Sequence, residues 1–159
     1  MTTEQQTAVI TTPTDREVHV ERVFDAPRER VWAAFNDPEL IPQWWGVGET
    51  RVEQMDVRPG GMWRYISAGP DGNESAFRGV YREVTPPERV VRTFEWEPMP
   101  GHIMVEIAEF EDLGDRTRVI TTMQFHTPEE RDGMLNSGME WGLNASYVRL
   151  DALLAGSAA

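Results

Sequence analysis

The chain has 159 residues, a formal net charge of −12 at pH 7 and no cysteine. Its length suits a single domain with a sizeable core, and the missing cysteines exclude disulfides and thiolate chemistry and favour the cytoplasm, where we expect the protein. The acidic balance, with no cluster of arginines, argues against binding to nucleic acid or to a membrane surface.

The N-terminal segment differs in composition from the rest of the chain. Residues 1–14 are rich in threonine and glutamine and carry few apolar side chains, which is typical of disorder. We therefore expect a disordered leader over residues 1–14 and a single domain over residues 15–156. The domain opens with a strand in which Val18, Val20 and Phe24 alternate with polar residues.

Two helix start signals follow the first strand, each a polar residue shortly before a proline. They predict two short helices between strands 1 and 2, the second ending at Gly46. After Gly46 the apolar period changes from the helical to the strand value. Six strands separated by Gly- and Pro-rich turns are then predicted, over residues 51–57, 62–67, 76–84, 90–96, 103–111 and 117–125.

The last predicted element is a long helix. Thr127 is a good N-cap and Pro128 suits the first helical position, so the helix is expected to run for about 25 residues from there. Gly142 and Ser146 form a notch of small residues beside the apolar position Leu143. The notch fits either close packing of the helix on a sheet or space for a ligand. The order of elements predicts an α+β fold in which a curved, antiparallel, seven-stranded sheet wraps around the last helix.

Several motifs within residues 17–154 together resemble those of one superfamily. They are VFDAPRERVWAAFNDPELIPQWWG, RPGG before a tryptophan-bearing strand, the turn PDG, REVTPPERVV, FEDLGDRTRV and GMEWGLNASYVRLDALL. On these motifs the chain resembles the START-like, or SRPBCC, superfamily with its helix-grip (Bet v 1-like) fold. Within it, the chain is most similar to the subgroup of the activator of the 90-kDa heat-shock protein ATPase. The resemblance implies an apolar cavity between sheet and last helix that takes hydrophobic small molecules.

Strand alternation and this resemblance select the candidate cavity residues. If Phe110 points inward, Glu106 and His102 share its face, and Thr121 and Met123 line the same interior from the neighbouring strand. The many aromatic side chains fill either the core or the cavity, and both interpretations stay open. The candidates are Phe35, Trp45, Trp63, Tyr65, Phe77, Tyr81, Phe94, Trp96, His102, Met104, Glu106, Thr121, Met123, Phe125, Met139, Gly142, Leu143 and Ser146.

Glu106 is the polar residue that stands out in this set. A buried carboxylate needs a partner, so we expect a donor from His102, from an arginine or from a ligand, unless Glu106 lies solvated near the open end. Such a lining suits a mostly apolar ligand with one polar group. Enzyme motifs, metal-ligand spacings and cofactor fingerprints are missing from the sequence, so no metal or cofactor is predicted. Glu106 and His102 are the only candidates for a catalytic acid or base.

Trp141 falls on the side of the last helix opposite Leu150, with Met134 and Val148 beside it. An apolar stripe of this kind predicts a surface for a homodimer or another protein partner. The alternative is that Trp141 folds back onto the short helices.

Four functional hypotheses follow. The first is non-catalytic binding of a hydrophobic or aromatic small molecule in the cavity. The resemblance implies three alternatives: a co-chaperone-like protein of the stress response, an aromatase/cyclase-like enzyme acting on polyketides, and an antibiotic resistance protein that an enediyne cleaves sacrificially. In the enzyme hypothesis, Glu106 or His102 would act as general acid or base.

Overall fold

The computed structural model describes residues 7–156, which form one open antiparallel sheet of eight strands together with three α-helices. The strands are β1 (Val9–Thr11), β2 (Glu17–Phe24), β3 (Thr50–Met55), β4 (Met62–Ala68), β5 (Glu74–Thr85), β6 (Arg89–Trp96), β7 (Ile103–Asp112) and β8 (Thr117–Gln124). The helices are α1 (Arg28–Asn36), α2 (Pro128–Leu135) and α3 (Met139–Gly156), and a 3-10 turn spans Ile41–Gln43. The strand order across the sheet is β1-β2-β8-β7-β6-β5-β4-β3. Over residues 7–156, none of the helices combines the length and the apolar character needed to cross a membrane.

The α+β class and the antiparallel sheet are confirmed, but the predicted strand count is wrong. Val9–Thr11 pairs with β2 and adds an eighth strand, inside the segment that was predicted to be a disordered leader. The part of that prediction on residues 1–6 lies outside the described residues. The predicted position of the two short helices is also wrong. Helix α1 and the 3-10 turn lie between β2 and β3. Of these two elements, only α1 is an α-helix.

The single long C-terminal helix is a further wrong prediction, because the chain forms two helices there. Helix α2 begins as expected, since the Thr127 side chain accepts a hydrogen bond from the Glu130 N–H at 3.1 Å. It ends at Leu135, and Gly138 adopts a φ of +86° before α3 begins. The Asn-Ser-Gly sequence at 136–138 is the stop signal, since glycine enters the left-handed region without steric cost.

The core lies between the concave face of the sheet and α3. Strand β2 alternates strictly, with Val18, Val20 and Phe24 buried on the inner face. From α3, Leu150 is fully buried, and the Tyr147 ring meets the Phe24 ring edge-on with centroids 5.0 Å apart. Period-two burial on the strands and one buried face on the helix are what a sheet packed on a helix requires.

A charged residue interrupts this apolar inner face. Arg22 is only 3% exposed, and its guanidinium lies 4.6 Å from the centroid of the Phe24 ring. Its Nη1 and Nη2 donate to Oδ1 and Oδ2 of Asp151 on α3, at 2.7 and 2.6 Å. A bidentate pair of this kind fixes both distance and orientation between strand β2 and helix α3.

The close packing of the Trp63 side chain and strand β6 against strand β5 depends on a glycine. The Trp63 indole on β4 lies against Gly79 on β5, and its Nε1 donates to the Thr93 carbonyl at 3.1 Å. A Cβ at Gly79 would lie 1.9 Å from that carbonyl oxygen and 2.6 Å from the indole nitrogen. Gly79 therefore leaves the space that Trp63 and β6 occupy.

We expect Gly79→Ala to lower the free energy of unfolding by about 3 kcal/mol, because backbone atoms have to move to admit the methyl group. Urea unfolding followed by tryptophan fluorescence measures the change. The control is Gly133→Ala in helix α2, where an added Cβ meets nothing within 4 Å. It should raise stability by about 0.5–1 kcal/mol through helix propensity. Equal stability of the two variants would contradict the close approach at Gly79.

We expect Asp151→Asn to lower the free energy of unfolding by about 2 kcal/mol, because the variant removes the negative charge opposite the buried Arg22, although the Asp151 side chain is itself 42% exposed. The matched control is Glu74→Gln, which breaks the exposed pair of Arg51 and Glu74, whose atoms lie 3.0 Å apart. That change should stay within about 0.5 kcal/mol, since exposed pairs contribute little. Similar losses of stability in both variants would show that the Arg22–Asp151 pair contributes no more to stability than an exposed pair does.

Candidate functional site

A cavity of about 340 Å³ lies between the concave face of the sheet and helices α2 and α3. Met104 and Met123 line it from the sheet, and Met134 and Leu143 line it from the helices. The loop after the 3-10 turn closes one side with Trp45. The volume falls within the roughly 300–1,000 Å³ of small-molecule pockets, and the lining is mostly apolar, as such pockets are.

Many of the predicted cavity residues come together here. On β7 and β8, the alternation that places Phe110 inward also brings Glu106 and Thr121 to the cavity wall. The predicted residues that line the cavity are Phe35, Trp45, Phe77, Phe94, Met104, Glu106, Thr121, Met123, Met139, Gly142, Leu143 and Ser146.

The other predicted cavity residues do not line it; they are Trp63, Tyr65, Tyr81, Trp96, His102 and Phe125. The first three are fully buried core residues, so the aromatic side chains are divided between core and cavity. Trp96 is partly exposed, and its Nε1 donates to Ser75 Oγ at 3.0 Å. His102 and Phe125 lie just outside the ends of β7 and β8, where strand alternation no longer fixes which way a side chain points.

Glu106 finds its donor in an arginine that the sequence did not single out. Arg92 Nε donates to Glu106 Oε1 at 2.8 Å, and the two residues are cross-strand partners on β6 and β7. The Arg92 guanidinium also lies 3.9 Å from the centroid of the Trp63 ring, and its Nη1 donates to the Tyr65 hydroxyl at 3.0 Å. The side chains of Arg92 and Glu106 are only 12% and 19% exposed, so the pair is largely removed from solvent.

The register explains why these groups meet. Met123, Glu106, Arg92 and Tyr81 are successive cross-strand partners on β8, β7, β6 and β5, and they form one row across the inner face. The signal for Arg92 is its period-two relation to Phe94, which lines the same cavity. Both faces of β6 carry apolar residues, so this signal does not fix the facing of the strand without the register.

Burial and charge set the protonation of the groups around this row. Burial raises the pKa of Tyr65, against the opposing effect of Arg92. Burial, followed by the negative charge of Glu106, raises the pKa of Tyr147, which lines the cavity from α3. For Arg92, burial disfavours the charge, but Tyr65 and Glu106 outweigh it and its pKa is raised. At neutral pH these tyrosines are therefore phenols and Arg92 is a cation.

The notch of small residues on α3 serves two purposes. A Cβ at Gly142 would meet only Val47 Cγ1, at 3.7 Å, so this position leaves space at the cavity. Ser146 Oγ accepts from the Gly46 N–H at 3.0 Å and donates to the Gly46 carbonyl at 3.1 Å. Arg149 Nη1 donates to the same carbonyl at 2.9 Å. These hydrogen bonds hold the loop after the 3-10 turn against the helix.

The three residues of the predicted partner surface do not lie together. Trp141 and Val148 are 62% and 50% exposed on α3, whereas Met134 lines the cavity. The described stripe therefore consists of the first two residues, and a protein partner on it stays a prediction.

His102 takes part in a different interaction at the start of α2. Its Nδ1 lies 2.6 Å from Glu130 Oε2, and Glu130 Oε1 accepts from the His126 N–H at 3.1 Å. The hydrogen bond from His102 holds the pKa of the Glu130 carboxyl below its usual range. Within residues 7–156, no group of three or more His, Asp or Glu side chains is arranged to hold a metal ion.

An antiparallel sheet that grips a C-terminal helix and encloses a cavity against it defines the protein as one of the helix-grip class. The family described as "Activator of Hsp90 ATPase homolog 1-like protein" matches residues 25–155, and the chain belongs to this family. The resemblance to the START-like superfamily and to this subgroup is therefore confirmed. A search of curated proteins found no match.

Solved structures share the fold along nearly the whole chain. A protein of Rhodobacter sphaeroides is 24% identical, with a TM-score of 0.87, over 94% of this chain and 99% of that one. A Mycobacterium smegmatis protein is 23% identical, with a TM-score of 0.85, over 92% of this chain and 96% of that one. DynU16, from the dynemicin biosynthetic locus, is 22% identical, with a TM-score of 0.67, over 90% of this chain and 48% of that one.

The lowered pKa of Glu130 predicts an acid-sensitive contribution to stability. In the unfolded chain this carboxyl binds a proton at a higher pH than in the folded protein, so its contribution is complete above the unfolded pKa and is lost as the pH falls through the folded value. We expect the urea midpoint of the wild type to fall between about pH 5 and pH 3, and to fall less in Glu130→Gln. The control is Glu129→Gln, the exposed carboxyl in the same helical turn. An identical pH profile for Glu130→Gln and Glu129→Gln would contradict this account.

Proposed function

We propose that the protein binds a mostly apolar small molecule in the cavity between the sheet and α3. The observation that carries the proposal is the cavity itself, about 340 Å³ in volume and lined by aromatic, methionine and aliphatic side chains from both layers. Removing apolar ligand surface from water would stabilise a complex by about 25 cal/mol per Å² buried. Membership of the helix-grip class supports the proposal by analogy of fold.

The lining suits ligands of more than one shape. Met104, Met123, Met134 and Met139 contribute flexible thioethers to opposite sides of the cavity. Methionine side chains adapt to irregular surfaces and make favourable contacts with aromatic rings. Trp45 adds a broad aromatic wall, and we expect an aromatic ligand to lie between these side chains.

The positions of the two acid–base candidates favour binding over catalysis. Glu106 is held by Arg92, and His102 lies outside the cavity, bonded to Glu130. General acid–base chemistry needs its groups within hydrogen-bond reach of one substrate. The cavity therefore brings only Glu106, of these two, to a bound molecule.

The test is titration with N-phenyl-1-naphthylamine, a neutral apolar dye whose fluorescence rises in apolar surroundings. We expect saturable binding to the wild type and to Gly142→Ala, because an added Cβ meets only Val47 at an ordinary contact distance. Gly142→Leu adds three further carbons in the direction of the cavity and should weaken binding about tenfold or more.

Circular dichroism and urea unfolding serve to check that both Gly142 variants are folded. An unsaturable wild-type signal would contradict the proposal, as would equal affinity of Gly142→Leu and the wild type. If Gly142→Ala lost binding as well as Gly142→Leu, a change in helix α3, and not the filling of cavity space, would explain the loss.

A further inference from the structure

We infer that the cavity selects ligands carrying a neutral hydrogen-bond donor, a hydroxyl above all, which the free oxygen of Glu106 accepts. This inference rests on the proposed function and names the chemical class of ligand for the same cavity. It is carried by the geometry of the Arg92–Glu106 pair and not by the volume of the cavity.

Arg92 is engaged by the protein through two of its nitrogens. Its Nε donates to Glu106, its Nη1 donates to Tyr65, and its plane lies against the Trp63 ring. Tyr65 in turn donates to Met55 Sδ at 3.8 Å. Arg92 also lines the cavity, but these contacts occupy two of its three nitrogens and use it to hold Glu106.

Glu106 has one carboxylate oxygen that accepts from no residue in the described part of the chain. Oε1 accepts from Arg92, whereas no residue in the described part of the chain donates to Oε2. Glu106 lines the cavity, and its side chain is 19% exposed. A carboxylate oxygen at an apolar wall is a strong acceptor, and a hydrogen bond to a charged group contributes more than one between neutral groups.

The charges at this wall disfavour an anionic ligand. Arg92 and Glu106 together carry no net charge, and the whole chain carries −12. Arg92 lines the cavity too, but its charge is already offset by Glu106, so a carboxylate ligand would meet no net positive charge and would lose its own hydration beside Oε2. Tyr147 contributes a phenol from the helix side of the cavity, and the negative charge of Glu106 helps to raise its pKa. A hydroxyl can donate to Glu106 and still accept from such a group.

The experiment compares three ligands of one ring size by displacement of the naphthylamine dye from the wild-type protein. They are 2-naphthol, which donates a hydrogen bond, 2-methoxynaphthalene, which only accepts, and 2-naphthoate, which is anionic. We expect 2-naphthol to bind about tenfold or more tightly than 2-methoxynaphthalene, and 2-naphthoate to bind most weakly. Equal affinity for 2-naphthol and 2-methoxynaphthalene would overturn the inference and leave the proposed function standing. Failure of the dye and of all three ligands to bind would overturn both.

Two variants assign the preference to Glu106. Glu106→Gln turns the free acceptor into an amide N–H, which can donate to the methoxy oxygen but cannot accept from a hydroxyl, and should reduce the preference for 2-naphthol over 2-methoxynaphthalene at least fivefold. The matched control is Glu109→Gln, since Glu109 pairs with Arg89 at 2.8 Å on the same two strands but does not line the cavity. It should keep the wild-type preference. A preference that survives in folded Glu106→Gln would remove Glu106 from ligand selection.

Discussion

A positive charge on the inner face of the sheet determines where the last helix lies. Arg22 occupies a β2 position that alternation assigns to the core, and a buried guanidinium needs a counter-charge. Asp151 supplies that charge from α3 with both carboxylate oxygens. Rotation of α3 about its axis would separate the two groups. The pair therefore fixes Leu150 toward the sheet and, two turns earlier, Gly142 toward the cavity.

The cavity is the part of the inner face that α3 leaves unfilled. In the second half of the helix, Leu150 and Leu154 are buried in the core and do not line the cavity. In the first half, Gly142 is too small to reach the sheet. Because the rest of the core is closely packed, the gap results from small side chains at a few positions and not from loose packing of the whole domain. The Arg92–Glu106 pair lies on the sheet side of the cavity, so the helix sets the space in the site and the sheet sets its polarity.

Local sequence patterns predict much of which side chains face the inner side of the sheet. Period-two alternation identified the inward side chains of β7 and β8, Glu106 among them, once the family resemblance had set Phe110 inward. It failed for His102, which lies before the strand begins, and it did not separate the core residue Trp63 from the cavity residue Phe94. That separation depends on cross-strand register, a long-range property. The extra strand β1 was missed because three residues paired at an edge carry too little periodicity.

The loop at Gly46 is held by two α3 residues three positions apart, Ser146 and Arg149, which lie on one side of the helix. This loop carries Trp45 and Val47 into the cavity wall. Moving the loop away from the cavity would break hydrogen bonds that belong to the helix as well. The shape of this wall is therefore tied to the position of α3, and a change in the helix at Ser146 or Arg149 would be transmitted to Trp45 about a hundred residues earlier in the chain.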